Sequence, residues 1–100
     1  MTKKIAFEEA VKKHFPTLNN MFLIVAKVHG KSHPEIYEVH KLFDVISGKI
    51  QEASSDKPDL NDEFAKLREI TDNYQVPEDV CESYEAVYNM LAELDSAYQI

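Results

Sequence analysis

The chain has 100 residues, 44% of them hydrophobic, with two glycines and a formal net charge of −7 at pH 7. This composition is typical of one folded globular domain spanning residues 1–100. The negative charge argues against nucleic-acid binding, which needs a clustered basic surface, and the longest apolar run, residues 21–26, is far too short to cross a membrane.

The cysteine count and the N-terminal residues both favour a cytoplasmic location. The single cysteine, Cys81, cannot form an internal disulfide, which fits a reducing compartment. The first 15 residues carry charges within their apolar stretch and lack a small-residue cleavage site, so they do not resemble a secretory signal peptide.

Charge is distributed unevenly along the chain. Residues 1–30 carry a net charge of +3, residues 31–58 carry −1, and residues 59–100 carry −9. The basic first third can complement the acidic last third within one helical bundle. The alternative is that this basic first helix binds a partner outside the bundle.

The first predicted helix has an apolar stripe with alternating steps of four and three residues. Pro16 removes a backbone donor, so we expect a kink there, or a short helix followed by a second one. Gly30 is expected to end this segment as a left-handed cap. The stripe consists of Phe7, Val11, His14, Leu18, Met21, Val25 and Val28.

The second predicted helix starts at a capping box, in which the side chains of Ser32 and Glu35 each bond the other residue's backbone amide. Pro34 suits the first turn, where a missing amide costs little. Residues 53–58 are polar and predict a loop. The inward stripe of this helix is Ile36, Val39, Phe43, Ile46 and Ile50.

The third predicted helix is capped by Asp59 or Asn61 and ends at residues 72–73. Its inward face is Leu60, Phe64, Leu67, Ile70 and Tyr74. A fourth helix is predicted to begin at Pro77, followed by two acids at the positive end of its dipole. Its stripe is Val80, Tyr84, Val87, Leu91, Leu94 and Tyr98.

Four helical segments with short connections predict an all-α fold, an antiparallel up-down-up-down four-helix bundle. No segment shows the strict alternation of a strand. The predicted core is centred on Phe43, Phe64, Leu67, Val87 and Leu91.

Two stretches of the sequence are similar to one known family. Residues 25–43 read VAKVHGKSHPEIYEVHKLF, and residues 67–94 read LREITDNYQVPEDVCESYEAVYNMLAEL. The VHG-then-HPE pattern and the later NYxVPxxxC…YxxxYNxLxEL pattern resemble the hemerythrin-like domain of the repair-of-iron-centres family, whose di-iron proteins are linked to mending iron–sulfur clusters. The resemblance covers residues 16–98 and implies a hemerythrin-like four-helix bundle.

The iron-ligand motifs that the resemblance implies have no counterpart in the chain. They would fall near Phe7 and Glu8, at residues 49–52, near Lys57 and just past Ile100, and none of the positions present is a histidine. All lie at one pole of the bundle, so we expect a chain that is shortened there. We therefore expect no resident cofactor and no metal inside the bundle, with iron as the alternative.

Five residues are the candidates if a metal does bind: His14, His29, His33, His40 and Glu8. Three imidazoles within reach of one another could hold zinc or copper. No spacing among them is diagnostic, so structural or surface roles are expected for His29 and His40. His14 is expected to bond a carbonyl released by Pro16.

The remaining reactive side chains also favour structural roles. Cys81 is expected one turn inside the fourth helix as a small buried hydrophobe. The tyrosines of that helix recur at helical spacing, which is typical of a core and its rim. There is no phosphate-binding glycine loop, nucleophile elbow or Cys-x-x-Cys pair, so we expect no enzymatic activity.

Three functional hypotheses follow. The first is a metal-free relative of the iron-centre repair proteins that acts through contact with a protein partner. The second is a metal-binding repair protein with substitute ligands, and the third is a generic helical interaction module. No nucleic-acid or membrane partner is expected, and a homodimer is an alternative assembly.

Overall fold

The computed structural model describes residues 3–53 and 58–99, and its side chains from Ala6 onward. Within these ranges all regular structure is helical, which confirms the all-α, four-helix prediction. None of the described helices is long and apolar enough to span a bilayer. The helices are α1 (Lys3–His29), α2 (Glu35–Ala53), α3 (Asn61–Thr71) and α4 (Glu82–Gln99).

Helix α1 packs along nearly the whole of α4. At one end the rings of Phe7 and Tyr98 meet edge to face with centroids 5.4 Å apart. At the other end His29 meets Tyr84 in the same way at 5.7 Å. The start of α1 therefore lies beside the end of α4, and the end of α1 beside the start of α4.

Helix α2 joins the bundle through aromatic contacts with the middle of α1. The rings of Phe15 and Phe43 lie 4.7 Å apart, and those of Phe22 and Phe43 lie 5.1 Å apart. The opposite edge of α2 contacts α3, where Lys49 reaches Glu63. The up-down-up-down order of all four helices stays a prediction.

The core combines buried residues of α1 with most of the predicted stripes of α2, α3 and α4. The five residues placed at its centre, Phe43, Phe64, Leu67, Val87 and Leu91, are 0–1% exposed, which confirms that prediction. Within the outer parts of the stripes, Ile50, Ile70, Tyr74 and Val80 are only partly buried. Amphipathic periodicity therefore selected the centre of the core in these three helices, although it missed Tyr88, which is 2% exposed.

The stripe predicted for α1 is wrong at its C-terminal end. Val28 is 63% exposed, whereas Phe22, which lies outside the predicted stripe, is fully buried. Alternating steps of four and three have a period of 3.5 residues, and an α-helix drifts about 20° per heptad from that period. After three heptads the accumulated drift turns Val28 into solvent and brings Phe22 inward.

Pro16 lies inside one continuous helix. The alternative of a short helix followed by a second one is therefore wrong. Pro16 is exposed, so its ring meets solvent rather than the core. A kink at this residue stays a prediction.

Gly30 does not form the predicted left-handed cap, because no described glycine has a positive φ. Its backbone amide instead donates to the Ala26 carbonyl oxygen at 3.0 Å. A Cβ at this position would overlap both that oxygen and the Tyr37 hydroxyl. The position needs glycine for space rather than for backbone conformation.

The capping box at Ser32 is also absent. Helix α2 begins at Glu35, and the amides of Ile36 and Tyr37 donate to the backbone carbonyls of His33 and Pro34, both at 3.1 Å. Ser32 is exposed and accepts no described hydrogen bond. The Glu35 carboxylate is held by the ring of His33 instead, so it does not reach back to residue 32.

The ends of α3 lie close to the predicted positions. Leu60 is the N-cap and makes no side-chain cap bond, although Oδ1 of Asp59 accepts from the amide of Asn61 at 3.3 Å. The helix ends at Thr71 and is followed by Asp72 in the left-handed region, close to the end predicted at residues 72–73. Most of the predicted loop, residues 54–57, lies outside the described residues.

Helix α4 begins at Glu82, five residues later than predicted. The residues from Val76 to Cys81 form no helix, so the acids after Pro77 do not lie in a helical first turn. Cys81 precedes the helix and is exposed, which corrects its expected place as a buried residue inside α4.

Truncating the core should be costly. Phe64→Ala is expected to lower the free energy of unfolding by about 3–5 kcal/mol, because it leaves a cavity between α1, α3 and α4. Urea denaturation followed by circular dichroism measures the loss. Ala65→Ser, at an exposed position beside it, serves as the control, and a loss for Phe64→Ala below about 1 kcal/mol would contradict the assigned core.

The two glycines should respond to alanine in opposite directions. Gly48 lies inside α2, and a Cβ there would have no neighbour within 4 Å. Gly48→Ala is therefore expected to stabilise the protein by about 0.5–1 kcal/mol. Gly30→Ala should destabilise it, because the new methyl group would overlap Tyr37. Thermal melts of both variants test this, and stabilisation by both would refute the close approach at Gly30.

Candidate functional site

An aromatic cluster closes the pole of the bundle formed by the start of α1 and the end of α4. Phe7, Phe64 and Tyr98 pack against one another, with ring centroids 5.2–6.4 Å apart. All three are buried. This is the pole at which the resemblance would place iron ligands, and the three aromatic rings pack together in its interior.

The hydroxyl of Tyr98 completes this closure. It accepts a hydrogen bond from the amide of Leu60 at 2.8 Å and donates one to the carbonyl of Pro58 at 3.1 Å. The first of these bonds satisfies a backbone donor just before α3. A tyrosine can thus pack as a core residue and still tie the entry of α3 to α4.

Two of the candidate histidines are held at separate places along α1 and α2. His14 is buried, and its Nε2 lies 2.5 Å from Oε2 of Glu93 on α4. It therefore bonds a carboxylate rather than the expected carbonyl near Pro16. His40 stacks face to face on Phe22, with the two ring planes 2° apart.

The other two histidines meet at the opposite pole, which we call the histidine pole. It comprises His29, His33, Glu35, Asp79 and Tyr84. The rings of His29 and His33 lie 6.5 Å apart, and each contacts the ring of Tyr84. In the sequence His29 and His33 stand on either side of one predicted turn. The structure adds that both rings contact Tyr84, which lies between them and the core.

His33 connects two segments of the chain at this pole. Its Nδ1 lies 3.0 Å from Oε1 of Glu35, and its Nε2 lies 2.9 Å from Oδ1 of Asp79. Each nitrogen of the His33 ring therefore faces a carboxylate oxygen, and the ring ties the turn before α2 to the segment before α4. His29 uses its Nε2 to accept from the amide of Cys81 at 3.4 Å.

A hydrogen-bonded chain leads from the histidine pole into the core. The hydroxyls of Tyr84 and Tyr88 lie 3.0 Å apart, and Tyr84 also donates to Glu35 at 3.3 Å. Burial, and then the contact with Tyr88, raises the pKa of Tyr84 far above its usual value. Burial likewise raises the pKa of Tyr88, so both phenols stay neutral.

The polar cluster with the most bonds was not predicted from the sequence. Asp95 is buried, and both of its carboxylate oxygens lie 2.9 Å from Nη1 of Arg68. Tyr74 donates to the same carboxylate at 2.7 Å, and Gln99 donates at 3.0 Å. The available signal was that Arg68 is the one arginine of the chain, a side chain suited to several bonds with one carboxylate.

A run of left-handed residues brings Tyr74 to this cluster. Asp72, Asn73 and Tyr74 all have positive φ values, between 53° and 63°. The hydroxyl of Thr71 accepts from the Tyr74 amide at 2.8 Å and so supports the turn. Burial, and then the bond to Asp95, raises the pKa of Tyr74 well above its usual value. The cluster ties α3 to α4 and leaves no oxygen of Asp95 unbonded.

One buried polar atom in the described part of the chain has no hydrogen-bond partner. It is Oε1 of Glu63, whose other oxygen accepts from Lys49 at 2.8 Å. The hydrogen bond that Lys49 donates to Glu63 raises the pKa of Lys49. Glu63 lines a groove of about 400 Å³ between α2 and α3 that also contains two lysines and an apolar floor.

The donor set does not fit a di-iron centre. Among the described residues, no three of the His, Cys, Asp and Glu side chains lie close enough together to hold a metal ion. Glu8 is exposed on α1, remote in sequence from the histidine pole. Each of the four imidazoles contacts a carboxylate, an aromatic ring or a backbone amide of its own chain.

Comparison with known proteins finds distant similarity to iron-sulfur cluster repair proteins. The chain is 24% identical over 121 residues to the iron-sulfur cluster repair protein ScdA of Staphylococcus epidermidis, and 23% identical over 120 residues to that of Staphylococcus haemolyticus. These alignments take in 90% and 89% of this chain and 54% of each relative. No protein-family model matches the sequence, and the search of solved structures gave no match.

The chain thus spans about half the length of the curated relatives that it matches. The alignment with the S. epidermidis protein is 121 residues long but contains only 90% of a 100-residue chain. About thirty aligned positions of the relative therefore have no residue opposite them here. The similarity extends along most of the chain and is interrupted by gaps in it.

The buried phenols should resist alkaline titration. Tyr74, Tyr84 and Tyr88 all have raised pKa values, so they should keep their protons above pH 10, near which an unperturbed tyrosine ionises. Their contribution to stability is complete below that pH and is lost as the pH rises beyond it. Absorbance at the phenolate band, followed beside circular dichroism, should show that these three tyrosines ionise only on unfolding. Ionisation of all five near pH 10 in the folded protein would contradict this.

Proposed function

We propose that this chain is a short, hemerythrin-like relative of iron–sulfur cluster repair proteins. It holds no iron within its bundle and acts without catalysis, by contact with a partner protein in the cytoplasm. The observation that carries the proposal is the aromatic closure by Phe7, Phe64 and Tyr98. It occupies the pole at which the family resemblance would place the iron ligands.

The energetics of burial support this proposal. A buried carboxylate or imidazole without a metal or another partner costs several kcal/mol, so a bundle that has lost its metal gains stability by losing the ligands as well. Aromatic side chains at the same pole contribute burial and favourable ring contacts instead. The gaps in the alignment with the staphylococcal repair proteins agree with a chain that is shortened relative to them.

The placement of the histidines also supports it. All four lie on α1, on α2 or in the turn between them, and none lies in the last sixty residues. A site with imidazoles from all four helices therefore cannot be assembled within one chain. Helices α3 and α4 can offer only carboxylates and tyrosines, with Cys81 just outside α4.

The second candidate function is metal-binding cluster repair with substitute ligands. The observation that favours it is the approach of His29 and His33 at the histidine pole, with ring centroids 6.5 Å apart. Both rings already bond other groups of the chain, so a metal would have to replace Glu35, Asp79 or the Cys81 amide. The metal-free proposal requires no such rearrangement.

Ferrous iron should leave the melting temperature unchanged. Only a ligand that binds the folded state selectively raises the melting temperature, and the bundle offers iron no complete ligand set. The measurement is a thermal melt under anaerobic conditions with and without excess ferrous iron. Metal analysis of protein purified from iron-fed cells accompanies it and should find no stoichiometric iron.

Matched variants separate the two candidates. His29→Gln and His40→Gln should give the same response to iron as the unsubstituted chain. A rise of several degrees that either substitution abolishes would establish a rebuilt site and refute the metal-free proposal. Two irons per chain with oxo-bridge absorption would refute it as well.

A further inference from the structure

Three large apolar side chains lie in solvent near the C-terminal end of α1. Leu23 is 67% exposed, Ile24 is 51% exposed and Val28 is 63% exposed. Lys27 and Lys31 are exposed among them. We call these five residues the apolar–basic face. Clusters of exposed hydrophobic side chains on a soluble protein commonly mark contact sites.

The core packing on the other side of α1 accounts for this exposure. Phe22 and Val25 are fully buried in the same two turns. At 100° per residue, Lys27 points away from those two side chains, with Leu23 on one side of it and Val28 on the other. The helix therefore cannot turn to bury its outer apolar residues without exposing the core ones.

The face extends towards α2 through Tyr37. This ring is 53% exposed, and its hydroxyl lies 3.5 Å from the carbonyl oxygen of Ala26 on α1. The ring lies close against Gly30, where even a Cβ would not fit. An aromatic side chain that is half exposed and held at a helix junction is a suitable anchor for a partner.

The charge around the face differs from that of the rest of the chain. Residues 10–34 contain four lysines and no aspartate or glutamate, whereas the whole chain has a net charge of −7. A surface that complements this region must combine apolar residues with acids.

We propose that the apolar–basic face binds an acidic amphipathic helix of a partner protein. The apolar part of the face is between one and two helical turns long, and Lys31 follows in the turn after α1. This length suits an apolar ridge of another helix, and Lys27 and Lys31 would pair with acids beside that ridge. This inference rests on the proposed function, because it supplies the contact surface through which a metal-free protein acts.

Two other occupants fit the charges less well. Pairing of α1 with α1 of a second copy would set the lysines of the two chains against each other. An anionic membrane surface would attract these lysines but would repel a chain that carries −7 overall. An acidic helix of another protein avoids both conflicts.

The test uses the folded chain and a synthetic peptide as probe. The peptide is a helix of about 18 residues with leucines at helical spacing and glutamates beside them. Amide chemical shifts of the ¹⁵N-labelled protein should saturate on titration, with the changes concentrated at residues 23–31 and at Tyr37. Binding should weaken as salt rises, because the ion pairs are exposed.

Matched substitutions locate the site. Val28→Ser should weaken binding of the peptide about tenfold, because one aliphatic side chain is lost from the contact. Val45→Ser changes a residue that is 41% exposed on α2, outside the face, and should leave the affinity unchanged. Equal effects of the two substitutions would overturn the proposal.

Several other results would overturn it. These are no saturable shift, equal binding of a peptide with lysine in place of glutamate, self-association in sedimentation that Val28→Ser abolishes, and co-sedimentation with phosphatidylserine vesicles. The last two would assign the face to a second copy or to lipid. If the peptide does not bind and no iron binds, the proposed face is refuted and the metal-free proposal stands. If the peptide binds and iron binds as well, the face stands and the metal-free proposal is refuted.

Discussion

The contact between α1 and α4 is the constraint on which the rest of the bundle depends. Helix α1 has 27 residues and α4 has 18. They contact each other along their length, through Phe7 and Tyr98 at one pole and through His29 and Tyr84 at the other. Because α1 is committed to α4 along this line, its opposite surface can be covered only by something outside the bundle. The exposed Leu23, Ile24 and Val28 are a direct consequence. Helix α1 therefore combines a long buried contact with α4 and an outer surface that carries exposed apolar side chains.

The shorter helix α3 is fixed by polar ties as well as by its apolar face. Its entry is bonded to the hydroxyl of Tyr98, its middle to Asp95 through Arg68, and its exit to the same carboxylate through Tyr74. Each tie joins α3 to α4, and each is at least partly shielded from water, where hydrogen bonds to a charged group contribute more than at the surface. A helix of 11 residues is only marginally stable by itself, so these bonds, together with its buried apolar face, fix its position in the bundle.

The two poles of the bundle have opposite characters, and this contrast bears on function. One pole is sealed by aromatic rings, whereas the histidine pole carries His33 between Glu35 and Asp79, with Tyr84 and Tyr88 beneath it. The side chains of His33, Glu35 and Tyr84 each have a hydrogen-bond partner at the histidine pole, whereas Glu63, next to Phe64 at the aromatic pole, keeps one buried carboxylate oxygen without a partner. The proposal of a metal-free protein that acts by contact rests on this contrast between the poles.

The sequence by itself determined the number of helices, most of their bounds and the central core residues of α2, α3 and α4. Each of these follows from local periodicity, because an amphipathic stripe on a short helix points in one direction whatever its neighbours are. It also determined that α3 and α4 contain no histidine, which limits any metal site.

Only the tertiary structure decided which side chains of α1 are buried, since a small drift in period accumulates over a long helix and turns Val28 outward. Only the tertiary structure brought Arg68, Tyr74 and Asp95 together, and only it placed Glu93 against His14. These contacts join residues 21 to 79 positions apart, and no local pattern encodes such pairings because they depend on how whole helices are placed against one another.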